Sequence, residues 1–99
     1  MIHIRIKVKD RHVTIDVNGH ANAAPKGEDV VCAGVSTLVL TLVEALVRVG
    51  AQDYKCDLGG GKAHIECRQT KATKPILNTI VCGMDLLAAT YPQYVEVCI

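Results

Sequence analysis

Ile2-His3-Ile4-Arg5-Ile6-Lys7-Val8-Lys9-Asp10-Arg11-His12-Val13-Thr14-Ile15-Asp16-Val17-Asn18 alternates apolar and polar residues on both sides of Asp10-Arg11. A strand turns successive side chains to opposite faces, so a period of two means one buried face and one wet face. Ile2, Ile4, Ile6 and Val8 fall on one side, as do Val13, Ile15 and Val17 after the turn. Residues 1–19 are therefore expected to form a hairpin. Asp-Arg is not the Asp-Gly pair that two-residue hairpin turns favour, so the strands carry this reading and the turn does not.

The same alternation returns later in the chain. Tyr54, Cys56 and Leu58 alternate with Asp53, Lys55 and Asp57, and after Gly59-Gly60-Gly61 the pattern resumes with Ala63, Ile65 and Cys67. A glycine turn between two alternating runs predicts a second hairpin. Between the hairpins, Asp29 offers a helix N-cap, and Gly50 stands where helices commonly stop, so a helix is expected to Val49. Thr37, Thr41, Glu44 and Arg48 recur at helical spacing as one narrow polar stripe. On that pattern the helix is buried over most of its girth. Gly34 costs about 1 kcal/mol against Ala within a helix, which implies that a backbone or a ligand comes close there. Pro75 suits the first turn of a second helix, whose apolar spacing runs from Ile76 to Tyr91 before Pro92 ends it. Tyr94 to Ile99 reads as a last strand. The order β-β-α-β-β-α-β predicts an α+β fold in two layers, with two helices covering one face of a mostly antiparallel sheet.

A chain of 99 residues is expected to form a single domain, 1–99, burying roughly 60 to 70% of its unfolded surface. It is 49% hydrophobic but has no Trp or Phe and only three Tyr, so aliphatic residues and Cys must build the core. That shortage of rings argues against base stacking, and a net charge of +1 supplies no global basic field, so direct nucleic-acid binding is not expected. The N-terminal alternation lacks the continuous apolar segment of a signal peptide, and a cytoplasmic location is expected. The apolar run from Val30 to Val43, about 14 residues, falls short of the ~20 needed to span a bilayer, so no membrane association is expected. Five cysteines without a CxxC pair point to reduced thiols. Cys56, Cys67 and Cys82 read as core fillers and Cys98 as a surface thiol.

Two residues stand out for chemistry. With Asp29 as the cap, Cys32 takes the third helical position, where unpaired amides and the positive end of the dipole favour an anion. The same amides, with Ala33 next in line, would stabilise a tetrahedral oxyanion. His20 stands after Gly19 at the end of the first hairpin, across a loop of residues 21–28 that includes Asn22 and Gly27. A thiol and an imidazole are the parts of a nucleophile and its base. Ser36 lies on the face of Cys32 one turn on, and Asp29 is placed to orient His20. Each also has a plain structural reading: Cys32 as a small core residue, His20 as a surface residue, Ser36 bonded to backbone, and Asp29 as a cap.

Gly19-His20-Ala21, a short loop, and Asp29-Val30-Val31-Cys32-Ala33-Gly34-Val35-Ser36 together resemble the signature of the ribosomal-processing cysteine proteases, the Prp family. The resemblance implies a homodimeric endopeptidase that removes the N-terminal extension of a large-subunit ribosomal protein, with no cofactor and no metal. It implies His20 as general base and Cys32 as nucleophile, supported by Asp29, Ser36 and Gly19, with the loop as a mobile gate. It also implies an apolar groove for the substrate. Asn22 departs from the glycine expected at that position. The competing reading is a non-catalytic ribosome- or RNA-associated binding module using Arg5, Lys7, Lys9 and Arg11, although such a charge run is ordinarily a solvated strand face. A metal site on His64, Cys56, Cys67 or Cys32 is not expected, because strand alternation turns His64 and Cys67 to opposite faces.

Overall fold

The computed structural model describes residues 1–19 and 26–99, with Lys26 to Asp29 described by backbone alone. Its elements run β1 (Ile2–Lys9), β2 (His12–Asn18), α1 (Lys26–Arg48), β3 (Lys55–Gly59), β4 (Lys62–Arg68), α2 (Thr73–Thr90) and β5 (Val95–Cys98). The five strands form one sheet in the order β3-β4-β2-β1-β5. Three seams are antiparallel, and β5 joins β1 in parallel. The expected order and the two-layer arrangement both hold.

Both hairpins close through two residues with positive φ, the geometry that matches the right-handed twist of paired strands. Gly60 (φ 52°) and Gly61 (φ 77°) adopt it freely. Asp10 (φ 50°) and Arg11 (φ 65°) adopt it in spite of their side chains, so strand pairing overrides local preference at this turn. Ile4, Ile15 and Ile65 are each 1% exposed and pave the face that meets the helices. Val8 shares that face but is 57% exposed, since β5 reaches along β1 only to Arg5 and leaves the hairpin tip uncovered.

The helices touch each other through small residues. A Cβ on Gly34 would lie 3.4 Å from the Leu87 methyls, and one on Gly83 would lie 2.8 Å from Leu38 Cδ2. The close neighbour at Gly34 is thus a side chain of α2, where a backbone or a ligand was expected. At the start of α2, Thr73 is 1% exposed and its hydroxyl donates to the Arg68 carbonyl at 2.8 Å. The Thr73 N–H donates to Thr70 Oγ1 at 3.2 Å, and Pro75 stands in the first turn of the helix, as expected.

Two expectations about α1 need correction. It begins at Lys26, so Asp29 lies inside the helix as its fourth residue and is not the N-cap. Nor is α1 buried over most of its girth. Its segment Val30–Arg48 has 19 residues and a mean hydropathy of 2.2, long and apolar enough by composition to cross a membrane, yet only 28% of it is buried. Val31, Val35, Leu42 and Leu46 face the sheet, while Leu40 (58%) and Val47 (56%) face outward.

Candidate functional site

At one end of the sheet, the last residue before His20 meets the flank of α1. Gly19 has φ 121°, a region closed to most L-residues. A side chain there would put its Cβ 2.2 Å from the Met1 carbonyl oxygen. The Gly19 N–H donates to the Gly61 carbonyl at 3.1 Å. Glycine at 19 is therefore required by space as well as by φ, and it ties the end of β2 to the glycine turn of the second hairpin.

These two segments and α1 enclose a groove of about 280 Å³, lined by Gly19, Cys32, Ser36, Leu40, Leu58 and the Gly59–Gly61 turn, with Ile2 and Val17 among the residues at its floor. Cys32 is half-buried and reaches the groove from the inner edge of α1. Ser36, one turn on, is exposed on the same wall. Of the residues singled out from the sequence, the structure therefore brings together Gly19, Cys32 and Ser36.

His20 and Asn22 lie outside the described residues, as does the loop between Gly19 and Lys26. Gly27, expected in that loop, belongs instead to the first turn of α1. Ala33 is exposed outside the groove lining, and its carbonyl accepts from Thr37 Oγ1 at 2.8 Å. The expected oxyanion hole from helix-terminal amides at Cys32 and Ala33 does not survive the longer helix. Counting from Lys26, Cys32 is the seventh helical residue, whereas only the first four amides of a helix lack an internal partner.

All five cysteines are reduced. Cys67 is 1% exposed, and burial pushes its thiol pKa up, as suits an inert core filler. Cys56 is partly buried and Cys98 is exposed, as expected. Cys82 is exposed and not a core filler, because it falls on the outer side of α2 between the inward-facing Ile80 and Met84.

The resemblance implies an apolar groove, but the residues that wall it escaped the sequence reading. Alternation turns Leu58 inward, but it is 43% exposed at the end of β3, an edge strand. Leu40 sits beside Thr37 and Thr41 on the outer face of α1, and that polar setting was the available signal. Three consecutive glycines also exceed what a two-residue turn requires.

The comparisons with known proteins bear on this geometry. The chain is 29% identical over 102 residues to the ribosomal processing cysteine protease Prp of Staphylococcus aureus, covering 97% of this chain and 96% of that one. It is 36% identical over 56 residues to the Bacillus subtilis protein of the same description, covering 54% and 50%. Among solved structures, S. aureus Prp in complex with a substrate peptide superposes with a TM-score of 0.81 at 25% identity, over 98% of this chain and 97% of that one. The same protease with a covalently linked product peptide gives 0.73 at 27% identity, over 99% and 98%. The family model described as cysteine protease Prp matches residues 1–96, and the chain belongs to that family of cysteine proteases.

Proposed function

We propose that Cys32 is the nucleophile and His20 the general base of a peptidase acting in this groove. The observation that carries the reading is the meeting of Cys32 with Gly19, the residue next to His20 in the chain, on one groove of a protein of this family. The Cys32 thiolate attacks the scissile carbonyl, forming a C–S bond. As the C–N bond breaks, His20 gives a proton to the leaving amine. His20 then takes a proton from water, whose oxygen attacks the thioester; the C–S bond breaks, releasing the acid and restoring the Cys32 thiolate beside a protonated His20. Because the amides near Cys32 are engaged within the helix, activation of the thiol rests on the imidazole. Ser36 and Asp29 are assigned supporting roles, Ser36 from its place on the groove wall.

The proposed substrate is the N-terminal extension of a large-subunit ribosomal protein, in keeping with the processing named for the relatives, and such a substrate places the enzyme in the cytosol. Leu40 and Leu58 give the groove apolar walls suited to an apolar peptide segment. The enzyme is further proposed to act as a homodimer, a reading supported by the outward apolar residues of α1. Incubation with extended ribosomal-protein precursors followed by intact-mass measurement tests the activity and locates the cut. Cleavage by wild type and none by Cys32→Ala is expected. Full processing by Cys32→Ala would refute the assignment.

A further inference from the structure

The sheet face turned away from both helices carries a chain of titratable groups that the proposed reaction does not use. His64 Nδ1 donates to Asp16 Oδ1 at 2.5 Å, and His64 Nε2 donates to Glu66 Oε2 at 2.6 Å. His12 Nε2 donates to Glu66 Oε1 at 2.6 Å. Asp16 and His12 belong to β2, and His64 and Glu66 to β4, so the chain crosses that seam twice. Asp16 lies directly opposite His64, and the next open-face pair along is Asn18 opposite Lys62. One residue further is the Gly19–Gly61 hydrogen bond at the rim of the groove.

We infer that Asp16, His64, Glu66 and His12 form a positioning ladder that locks β2 to β4 and so holds the groove rim, Gly19 and the Gly60–Gly61 turn, in register for peptide cleavage. The inference rests on the protease reading of the groove. The backbone pairing of β2 with β4 ends at Asn18 opposite Lys62, and the ladder adds side-chain links to that same seam; beyond it the rim rests on the Gly19–Gly61 bond and on β3, an edge strand. The end of β2 that the ladder braces leads directly into His20. The four residues are positioning residues, since they lie on the face of the sheet opposite the helices.

His64 donates from both ring nitrogens only as an imidazolium. Its hydrogen bonds to Asp16, and then to Glu66, raise its pKa above the ordinary value, so the cation is favoured where these bonds form. Asp57 of β3 stands opposite His64 on its other side and adds a third carboxylate to its surroundings. Against it stand Lys62 on its own strand, Lys55 of β3 opposite Glu66, and Arg5 of β1 beyond Asp16. Loss of the His64 proton leaves one ring nitrogen with no hydrogen to donate, so the link to Asp16 across the seam and the link to Glu66 along β4 no longer form together, and the seam loosens.

The test compares wild type with His64→Gln, whose amide can donate to one carboxylate at a time from its nitrogen, as neutral histidine does. At pH 6, kcat/KM for an extended ribosomal-protein peptide is expected to be roughly ten-fold lower in the variant, within the ~100-fold that a 1 Å misplacement can cost. The ratio should fall toward one as pH rises and wild-type His64 loses its proton. Stability varies with pH through the same groups, so both proteins are assayed where circular dichroism shows them fully folded at every pH, and a loss that comes only from unfolding then gives a ratio of one throughout. A ratio that stays flat with pH, or equals one throughout, would overturn the ladder while leaving the protease reading intact. If wild type cleaves no such peptide, the protease reading fails instead. Amide exchange at Gly19 then decides whether the ladder holds the rim: faster exchange in the variant at pH 6 supports that hold, and unchanged exchange refutes it.

Discussion

Gly19 shows how one residue type can answer several constraints at once. Its φ of 121° and the Met1 carbonyl, 2.2 Å from where a Cβ would stand, leave no room for a side chain. Gly19→Ala is expected to lose about 1–3 kcal/mol from backbone strain alone, read as a lower midpoint in chemical denaturation. Activity should fall further than stability accounts for, because the strain is released where the groove is built. Cys32 presents the converse case. It is half-buried on the side of α1, so Cys32→Ala should shift stability by only about 1 kcal/mol while abolishing turnover. Circular dichroism and a cleavage assay on the same sample separate the two effects.

At the scale of elements, the first hairpin holds an unfavourable turn by the strength of its strands. Arg11 has φ 65°, which costs a non-glycine residue roughly 1–2 kcal/mol. Arg11→Gly is therefore expected to raise stability by about 1 kcal/mol, the gain being partly offset by a more flexible unfolded chain. The bond from the Gln69 N–H to the carbonyl of residue 11, at 2.6 Å, uses backbone atoms that the substitution leaves in place. Helix α1 has two apolar sides of different use. Leu42, fully buried against the sheet, should cost about 2–5 kcal/mol on truncation to Ala, measured by denaturation. Val47, on the outer side, should tolerate Val47→Glu with little change in stability. In the homodimer reading that substitution weakens self-association, and sedimentation velocity reports it.

For the whole molecule, the open face of the sheet makes stability depend on pH from both directions. Hydrogen bonds from His64, and then His12, lower the Glu66 carboxyl from 4.5 to about 2. Its contribution is present above the unfolded value and is lost as pH falls toward the folded one. His64 is raised from 6.5, so its contribution is complete below that unfolded value and is lost as pH rises through the folded one. Both contributions are in place together between about 4.5 and 6.5. The stability difference between wild type and His64→Gln should therefore be largest near pH 5.5 and smaller at pH 3 and pH 8.5, as denaturant titrations at the three values would show. These side chains are partly exposed, so salt should reduce the difference.

Alternation of side chains was enough to find both hairpins, and helical spacing was enough to find both helices, because burial of one face imposes its period on the residues themselves. The motif around His20 and Cys32 likewise pointed to the family, since short-range spacing is written directly in the chain. Helix limits were less legible: the start of α1 at Lys26 moved Asp29 off the cap and Cys32 out of the first turn, because a run of polar and small residues carries no periodic signal. The open side of α1, the exposed Leu58 and the walls of the groove were not legible at all. Which apolar residues end up covered depends on where other elements stop, and strand order alone makes β3 an edge and lets β5 end at Cys98, opposite Arg5. The ladder through His64 has the same origin, for Asp16 and His64 become neighbours only when β2 and β4 pair.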